Sequence, residues 1–245
     1  MPHFLLLRLE APLVAFGDIM VDAKGPVSDL PSASMLTGLL GNALGYRREE
    51  RTRLQRLQDR IVHAARLDRS GRRFTEFQTA RLGKDDQGWT TRGRPEGRAG
   101  GDGSYEGPHL RYREHDCDVS ALVALCLRPH DEAPDLEDLA VALQQPARPL
   151  FIGRKPCLPS SQIFAGITEA PDHLAALTSV GLASARTRAP RRILVDLPRC
   201  ATPPDGFRTV HCSDSRDWIA GVHTGDSLRW HGLVPLERFA SETPQ

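Results

Sequence analysis

The chain has 245 residues, enough to bury a sizeable hydrophobic core, and predicts one large domain or one domain with a smaller appendage. It contains no apolar run of 18 residues, and its first residues lack the basic start and cleavage site of a signal peptide. The five cysteines are never spaced Cys-x-x-Cys, which favours reduced thiols over a disulfide framework or a zinc site. We therefore expect a cytoplasmic protein that binds no membrane, metal or other cofactor.

The net charge of +1 identifies no class of partner, but the charges are unevenly distributed along the chain. All but three of the 32 basic residues are arginines, which contact phosphates with paired hydrogen bonds and stack on bases better than lysines do. Basic residues cluster at 47–113, 148–155 and 186–192, whereas acidic residues collect at 114–138. This distribution predicts a basic face suited to RNA and an opposite acidic face.

In the first third of the chain, apolar spacing predicts two strands and one helix. The first strand is His3–Leu9, which is apolar on both faces and therefore expected near the centre of a sheet. A helix follows, with Ser32 and Ser34 as candidate N-caps and Gly45 as its end. Ile61–Leu67 is the second predicted strand, and Phe74–Leu82 is predicted to be extended.

The middle of the chain predicts an arm, two further strands and a second helix. Gly83–Pro108 is Gly-rich and polar, with little to bury, so it is either disordered or a protruding functional arm. Val119–Leu127 is apolar on both sides and predicts the third strand. Pro134 and Asp135 open a helix that stops at Pro146, and Leu150–Gly153 is the fourth predicted strand.

The order strand, helix, strand, strand, helix, strand predicts an α+β, ferredoxin-like βαββαβ unit, the architecture of RNA-recognition motifs. We place this RNA-binding palm at residues 1–160, with the Gly-rich arm as an insertion at about 83–108. Residues 161–245 are expected to form a smaller β-rich C-terminal region, with short strands at Arg192–Leu197 and near Ser227–Val234.

The segment from Arg148 to Ser160 is the most informative in the sequence. A short apolar stretch runs into Gly153-Arg154-Lys155 and is stopped by Pro156, which aims two cations off the end of a sheet. Such a position suits contact with a nucleic-acid phosphate. From this segment alone, a strand that ends in a solvated basic loop is an equally good interpretation.

Several segments together resemble the CasD family, which supplies the subunit that binds the 5′ handle of CRISPR RNA (crRNA) in the type I-E Cascade complex. The resemblance covers roughly residues 1–167, with four motifs in the correct order. They are Leu30–Gly45 with the following Arg47-Arg48-Glu49-Glu50, Glu76–Thr79, Arg113–Leu127 and Pro149–Pro159. Two positions depart from the family pattern: Ala33 stands where a basic residue is common, and Gln78 where a histidine is common.

The resemblance implies a non-catalytic subunit that caps the crRNA handle and joins the backbone filament of Cascade to its large subunit, with target DNA contacted indirectly through the complex. The partners implied are crRNA, the backbone subunits and the large subunit. The resemblance also implies that the insertion at about 83–108 is a thumb that presses against the guide and the neighbouring backbone subunit. The RNA-binding residues expected from the sequence and the resemblance are Ser32, Ser34, Arg47, Arg48, Trp89, Arg92, Arg94, Gly153, Arg154 and Lys155.

An alternative function is a metal-independent endoribonuclease that processes CRISPR repeat RNA, as some related subunits do. Such cleavage needs a base that activates a 2′-hydroxyl and a cation near the phosphate. The candidates are His63, Tyr46, His109, Tyr112 and Lys155. None of them forms a recognisable pair in the sequence, so we expect no catalytic residues.

Overall fold

A computed structural model describes residues 1–20, 22–81, 88–89, 95–96, 108–183 and 192–239. The strands, in chain order, are β1 His3–Val14, β2 Lys24–Gly25, β3 Ile61–Arg69, β4 Arg73–Ala80, β5 Gly88–Trp89, β6 Pro95–Glu96, β7 His109–Leu127, β8 Phe164–Glu169, β9 Arg192–Pro198, β10 Arg208–Asp217 and β11 Val222–Pro235. The helices are α1 Ala33–Ala43, α2 Arg51–Arg60, α3 Leu136–Gln144 and α4 His173–Thr178, with a 3-10 helix at Leu236–Arg238.

A large antiparallel sheet dominates this mixed α/β fold. Its main path runs β10-β11-β9-β3-β7-β1-β8, and β4 and β2 pair with the outer half of the long strand β7. Every pairing along that path is antiparallel, and the short β2 is the one parallel addition among the described strands. Strands β5 and β6 form a separate two-stranded pair.

The predicted central strand is confirmed, because β1 lies between β7 and β8 and is buried on both faces. Leu5, Leu7 and Leu9 point to one face, where they pack in a core with residues of α1 and α3. Phe4 and Leu6 point to the other face, into a second core shared with α4 and β9. Each fully buried leucine contributes about 1.5–3 kcal/mol relative to an exposed one, so both layers stabilise the sheet.

Helix α1 has the termini that the sequence predicts. The Ser32 hydroxyl accepts a hydrogen bond from the Met35 backbone N–H, at 3.2 Å, and thereby caps the helix. Gly45 follows the end of the helix with φ of +80°, a conformation that glycine adopts without strain. Within the helix, a β-carbon on Gly41 would lie 2.6 Å from the Leu54 side chain, so the small residue lets α2 pack closely.

The predicted fourth strand at Leu150–Gly153 is wrong, because the chain there is an irregular loop. Gly153 has φ of +89°, outside the extended region, and the prolines in this segment cannot donate to a strand ladder. The strand that pairs with the free side of β1 is instead β8, which begins eleven residues after Gly153.

The C-terminal strands continue the main sheet. Strand β9 pairs with β3 at three register positions, Ala65 with Asp196, Arg66 with Val195 and Leu67 with Leu194. The predicted strands in this region are confirmed as β9 and β11, whereas β8, β10 and α4 were not predicted. The division of the chain near residue 160 stays a prediction. No helix in the described part of the chain is long and apolar enough to cross a membrane.

Candidate nucleic-acid interface

The loop that carries Gly153, Arg154 and Lys155 is fixed by buried contacts on either side. Ile152 is fully buried, accepts a hydrogen bond from the Ala15 N–H at 3.2 Å, and donates to the Cys157 carbonyl at 2.7 Å. A β-carbon on Gly153 would lie 1.9 Å from the Ala15 carbonyl oxygen, so this position requires glycine. The loop is therefore a rigid turn packed against the end of β1.

Arg154 and Lys155 have different surroundings in this loop. The Arg154 guanidinium donates to two backbone carbonyls, that of Glu114 at 2.6 Å and that of Gly25 at 3.1 Å. Its burial, with the nearby charge of Arg113, lowers the pKa of the Arg154 guanidinium. Lys155 is exposed and forms no salt bridge or side-chain hydrogen bond with any described residue. Lys155 is thus the cation available to a ligand, and Arg154 holds the loop.

Ser32 and Ser34 both lie at the start of α1, with their hydroxyl oxygens 3.2 Å apart. Ser32 is 8% exposed, whereas Ser34 is half-buried. The first turn of a helix directs backbone N–H groups and the positive end of the helix dipole outward, which favours an anion.

A cavity of about 210 Å³ opens beside Ser32, between this helix end and strands β9, β10 and β11. Its wall includes Asp196, Arg229 and His231. Arg229 donates to both carboxylate oxygens of Asp196 at 2.8 Å, and His231 Nε2 lies 3.1 Å from Asp196 Oδ1.

The buried Asp196 carboxylate thus pairs with two basic side chains in this cavity. The hydrogen bond with Asp196 raises the pKa of His231 to about 9, so His231 is protonated at neutral pH. Burial raises the pKa of Asp196, but the bond from His231 and the charge of Arg229 outweigh burial and hold that pKa below its usual range. Asp18 also lines this cavity.

Arg47 and Arg48 are exposed between α1 and α2, at the opposite end of α1 from Ser32. Eleven helical residues separate the two positions, which corresponds to about 16 Å along the helix axis. Arg47 and Arg48 therefore do not lie beside the start of α1. The Arg47 N–H donates to the Glu50 carboxylate at 2.6 Å, which orders the turn into α2.

Three of the expected RNA-binding residues belong to the predicted thumb. Arg92 and Arg94 lie outside the described residues, and so does the side chain of Trp89. Strands β4 and β7 pair as far as Ala80 and His109, on either side of the predicted arm.

Two of the candidate groups for RNA cleavage, His63 and Tyr112, lie in the core and on the surface respectively. His63 is 1% exposed, and its ring bonds the Pro31 carbonyl at 3.2 Å. Burial lowers the pKa of His63 to about 3, so it is a neutral core residue. Tyr112 lies on the exposed face of β7 and packs its ring against Phe77, at 5.2 Å between centroids. The described residues contain no group of three histidine, cysteine, aspartate or glutamate side chains that could hold a metal ion.

Sequence reasoning missed the basic residues contributed by the C-terminal strands. Arg229 and His231 are two positions apart in β11, a spacing that puts both side chains on one face of a strand. That spacing is the signal that could have identified the pair. Their partner Asp196 is more than thirty residues earlier, and only the strand register places it opposite His231.

Comparison with known proteins agrees with this architecture. Residues 4–225 match the family model described as "CRISPR-associated protein (Cas_Cas5)". The "CRISPR system Cascade subunit CasD" of Escherichia coli (strain K12) is 31% identical over 177 residues, which is 72% of this chain and 76% of that protein.

Two solved structures share the fold. A chain of a "CRISPR RNA-guided surveillance complex" superposes with a TM-score of 0.59 at 20% identity, covering 95% of this chain and 89% of that one. A second structure, "Crystal structure of Cas protein", superposes with a TM-score of 0.60 at 24% identity, covering 99% of this chain and all of that one.

The family match over residues 4–225 defines a CRISPR-associated protein of the Cas5 type, and the large antiparallel sheet with its flanking helices agrees with that class. Within that class, the chain belongs to the CasD family of type I-E Cascade.

Proposed function

We propose that this protein is the non-catalytic Cascade subunit that binds and caps the 5′ handle of crRNA in the cytoplasm. In this role it joins the filament of backbone subunits to the large subunit, and it supports targeting of DNA by the assembled complex. In this role the guide RNA recognises the target sequence by base pairing. The protein contacts the phosphates and splayed bases of the handle.

The observation that carries this proposal is the presentation of Lys155. It projects without an acidic partner among the described residues, from a loop held by Gly153, buried Ile152 and the two bonds of Arg154. An unneutralised cation on a rigid backbone is a suitable contact for a phosphate, because little backbone order remains to be lost on binding.

The order of the strands supports an RNA-binding palm of the ferredoxin-like type. Strands β8, β1, β7 and β3 are neighbours in that order, with α1 between β1 and β3 in the chain and α3 between β7 and β8. A βαββαβ unit with its strands in the order 4-1-3-2 has this arrangement. We therefore infer a ferredoxin-like palm, extended by β9, β10 and β11, with the segment Gly83–Pro108 as thumb. Trp89, Arg92 and Arg94 remain its proposed RNA contacts.

The non-catalytic role is supported by the burial of His63 and by the relative named as a Cascade subunit. The alternative function, cleavage of repeat RNA, would need His109 or a tyrosine to act as the base beside Lys155. Metal-free cleavage by the isolated chain would therefore support the alternative.

The test is co-expression with the other Cascade subunits and a repeat-containing RNA, followed by sizing and end-mapping of the RNA that copurifies. We expect the 5′ handle to be protected only when this chain is present, and protection to fall in Lys155→Gln. Arg238→Gln is the matched control, because Arg238 is an exposed cation beside β9 and β11, on the other side of the sheet from the Lys155 loop. Equal protection with and without the chain would contradict the proposal.

A further inference from the structure

A second group of cations lies where the β10–β11 hairpin crosses α2. Arg51, the first residue of α2, donates through Nη1 to the Ile219 carbonyl in the hairpin turn, at 2.8 Å. Arg216, at the end of β10, donates through Nη2 to the Gly221 carbonyl, at 2.8 Å. Arg48 is exposed just before α2. We refer to Arg48, Arg51 and Arg216 as the arginine cluster.

Two glutamines hold the hairpin on α2, so the backbone that carries the arginine cluster is fixed in place. Gln58 donates to the Arg216 carbonyl at 2.8 Å and accepts from the Arg216 N–H at 3.1 Å. The Trp218 indole N–H donates to Gln58 Oε1 at 3.0 Å, and the Trp218 backbone N–H donates to Gln55 Oε1 at 2.9 Å. The Trp218 ring also lies 5.2 Å from the Arg216 guanidinium, which fixes that side chain further.

The charges of the arginine cluster have no counter-ion within the described part of the protein. No described carboxylate forms a salt bridge with any of its three members. Asp217, the nearest acidic residue in the hairpin turn, accepts a hydrogen bond from the Ala220 N–H instead. By contrast, Arg53 and Arg56 on the same helix pair with Glu50 and Glu132.

Arg216 is the least satisfied member of the arginine cluster. Its Nε atom is buried and bonds no described residue, although buried donors in folded proteins are almost always paired. Burial, and then the charges of Arg48 and Arg51, lower the pKa of the Arg216 guanidinium. Three like charges held together in this way repel one another until an anion neutralises them.

We propose that the arginine cluster binds the phosphodiester backbone of a nucleic-acid strand, as a contact additional to the Lys155 loop. Guanidinium groups match phosphate oxygens with paired hydrogen bonds, and a backbone offers several phosphates in succession. The presence of an anion site follows from the cluster itself. The choice of nucleic acid over an acidic peptide rests on the proposed function. The C-terminal hairpin thereby gains a binding role, since it supplies Arg216 and orients Arg51.

The test measures binding of the full chain to a labelled polyuridine RNA and to a labelled DNA duplex across a salt series. The variants are Arg48→Gln/Arg51→Gln and, separately, Arg216→Gln. We expect weaker binding and a salt slope reduced by about one for each phosphate that the variant no longer neutralises. The matched control is Arg53→Gln/Arg56→Gln, which removes two exposed arginines from α2 that already have carboxylate partners.

Each outcome decides the proposal. A reduced salt slope for RNA alone, for the duplex alone or for both supports the proposal. A reduction for one of them alone identifies that nucleic acid as the ligand. An equal reduction in the control, or no change of slope on either nucleic acid, overturns it, and binding of an acidic peptide instead would do the same. Weaker handle protection in Lys155→Gln with an unchanged slope in the cluster variants would leave the proposed function standing while this inference falls.

Discussion

Arg229 and Asp196 form a buried ion pair between strands β11 and β9, with Arg229 Nε 2.8 Å from each carboxylate oxygen. Arg229 is 7% exposed and Asp196 is 2% exposed. The same guanidinium donates to the His63 carbonyl at 2.8 Å and so connects β11 to β3 as well as to β9. This pair ties the C-terminal strands to the centre of the sheet.

Removing the carboxylate is therefore expected to be costly. Asp196→Ala leaves Arg229 and His231 without their shared partner, and an uncompensated buried charge costs about 3–5 kcal/mol of unfolding free energy. The measurement is urea unfolding at neutral pH. Asp29→Ala, which removes an exposed partner of Arg73, is the control and should change stability by about 1 kcal/mol or less. Similar losses in both variants would contradict this assignment.

The protonation of His231 predicts a loss of stability in alkaline solution. Asp196 raises the pKa of His231 from 6.5 to about 9, so the folded state holds this proton more tightly than the unfolded chain does. The contribution is complete below pH 6.5 and disappears as the pH rises through about 9. The difference in unfolding free energy between the wild type and His231→Gln should shrink over that window. A constant difference would count against a charged His231.

Alanine substitution at Gly153 and at Gly206 distinguishes the cost of a steric clash from the cost of a left-handed backbone. Gly153→Ala puts a β-carbon onto the Ala15 carbonyl, whereas Gly206→Ala has a similar φ, +85°, and nothing within 4 Å. Gly206→Ala should cost about 1–2 kcal/mol for the left-handed backbone alone. Gly153→Ala should cost clearly more and should also reduce handle protection, because the Lys155 loop must move. Thermal unfolding of the two variants measures this, and equal losses would show that the loop yields freely.

Substitution of the two neighbouring cations in that loop should change the free energy of unfolding by different amounts. Lys155→Gln should change the free energy of unfolding by about 0.5 kcal/mol or less, because the side chain is exposed and unpaired among the described residues. Arg154→Met leaves two backbone carbonyls without the hydrogen bonds that the guanidinium donates, and should lower the free energy of unfolding by about 1–3 kcal/mol. Denaturant unfolding compares the two. A larger loss for Lys155→Gln would reverse the roles assigned here.

Sequence periodicity predicted the strands and helices that are determined by residues close together in the chain. His3–Leu9 alternates two buried faces, and Ser32 and Asp135 carry the side chains that cap α1 and α3, so these elements are confirmed. The fourth strand was misplaced because the apolar residues Leu150–Ile152 resemble a strand, although they pack as a loop around Gly153.

The parts of the site that escaped prediction depend on contacts between distant residues. Arg216 meets α2 through Gln58, which is 158 positions away in the sequence, and Asp196 meets His231 through strand register. A linear reading also treats Arg154 and Lys155 as equivalent cations. The fold distinguishes them, because only the Arg154 side chain finds carbonyls to bond.

The path of the sheet has a consequence for any attempt to shorten this protein. A chain ended at residue 160 would lose β8 and β9, which cover the outer sides of β1 and β3. Both strands would then present unpaired N–H and carbonyl groups, and β1 is among the most apolar segments of the chain. Open apolar edges of this kind recruit further strands, so the shortened protein would be expected to associate edge to edge into aggregates.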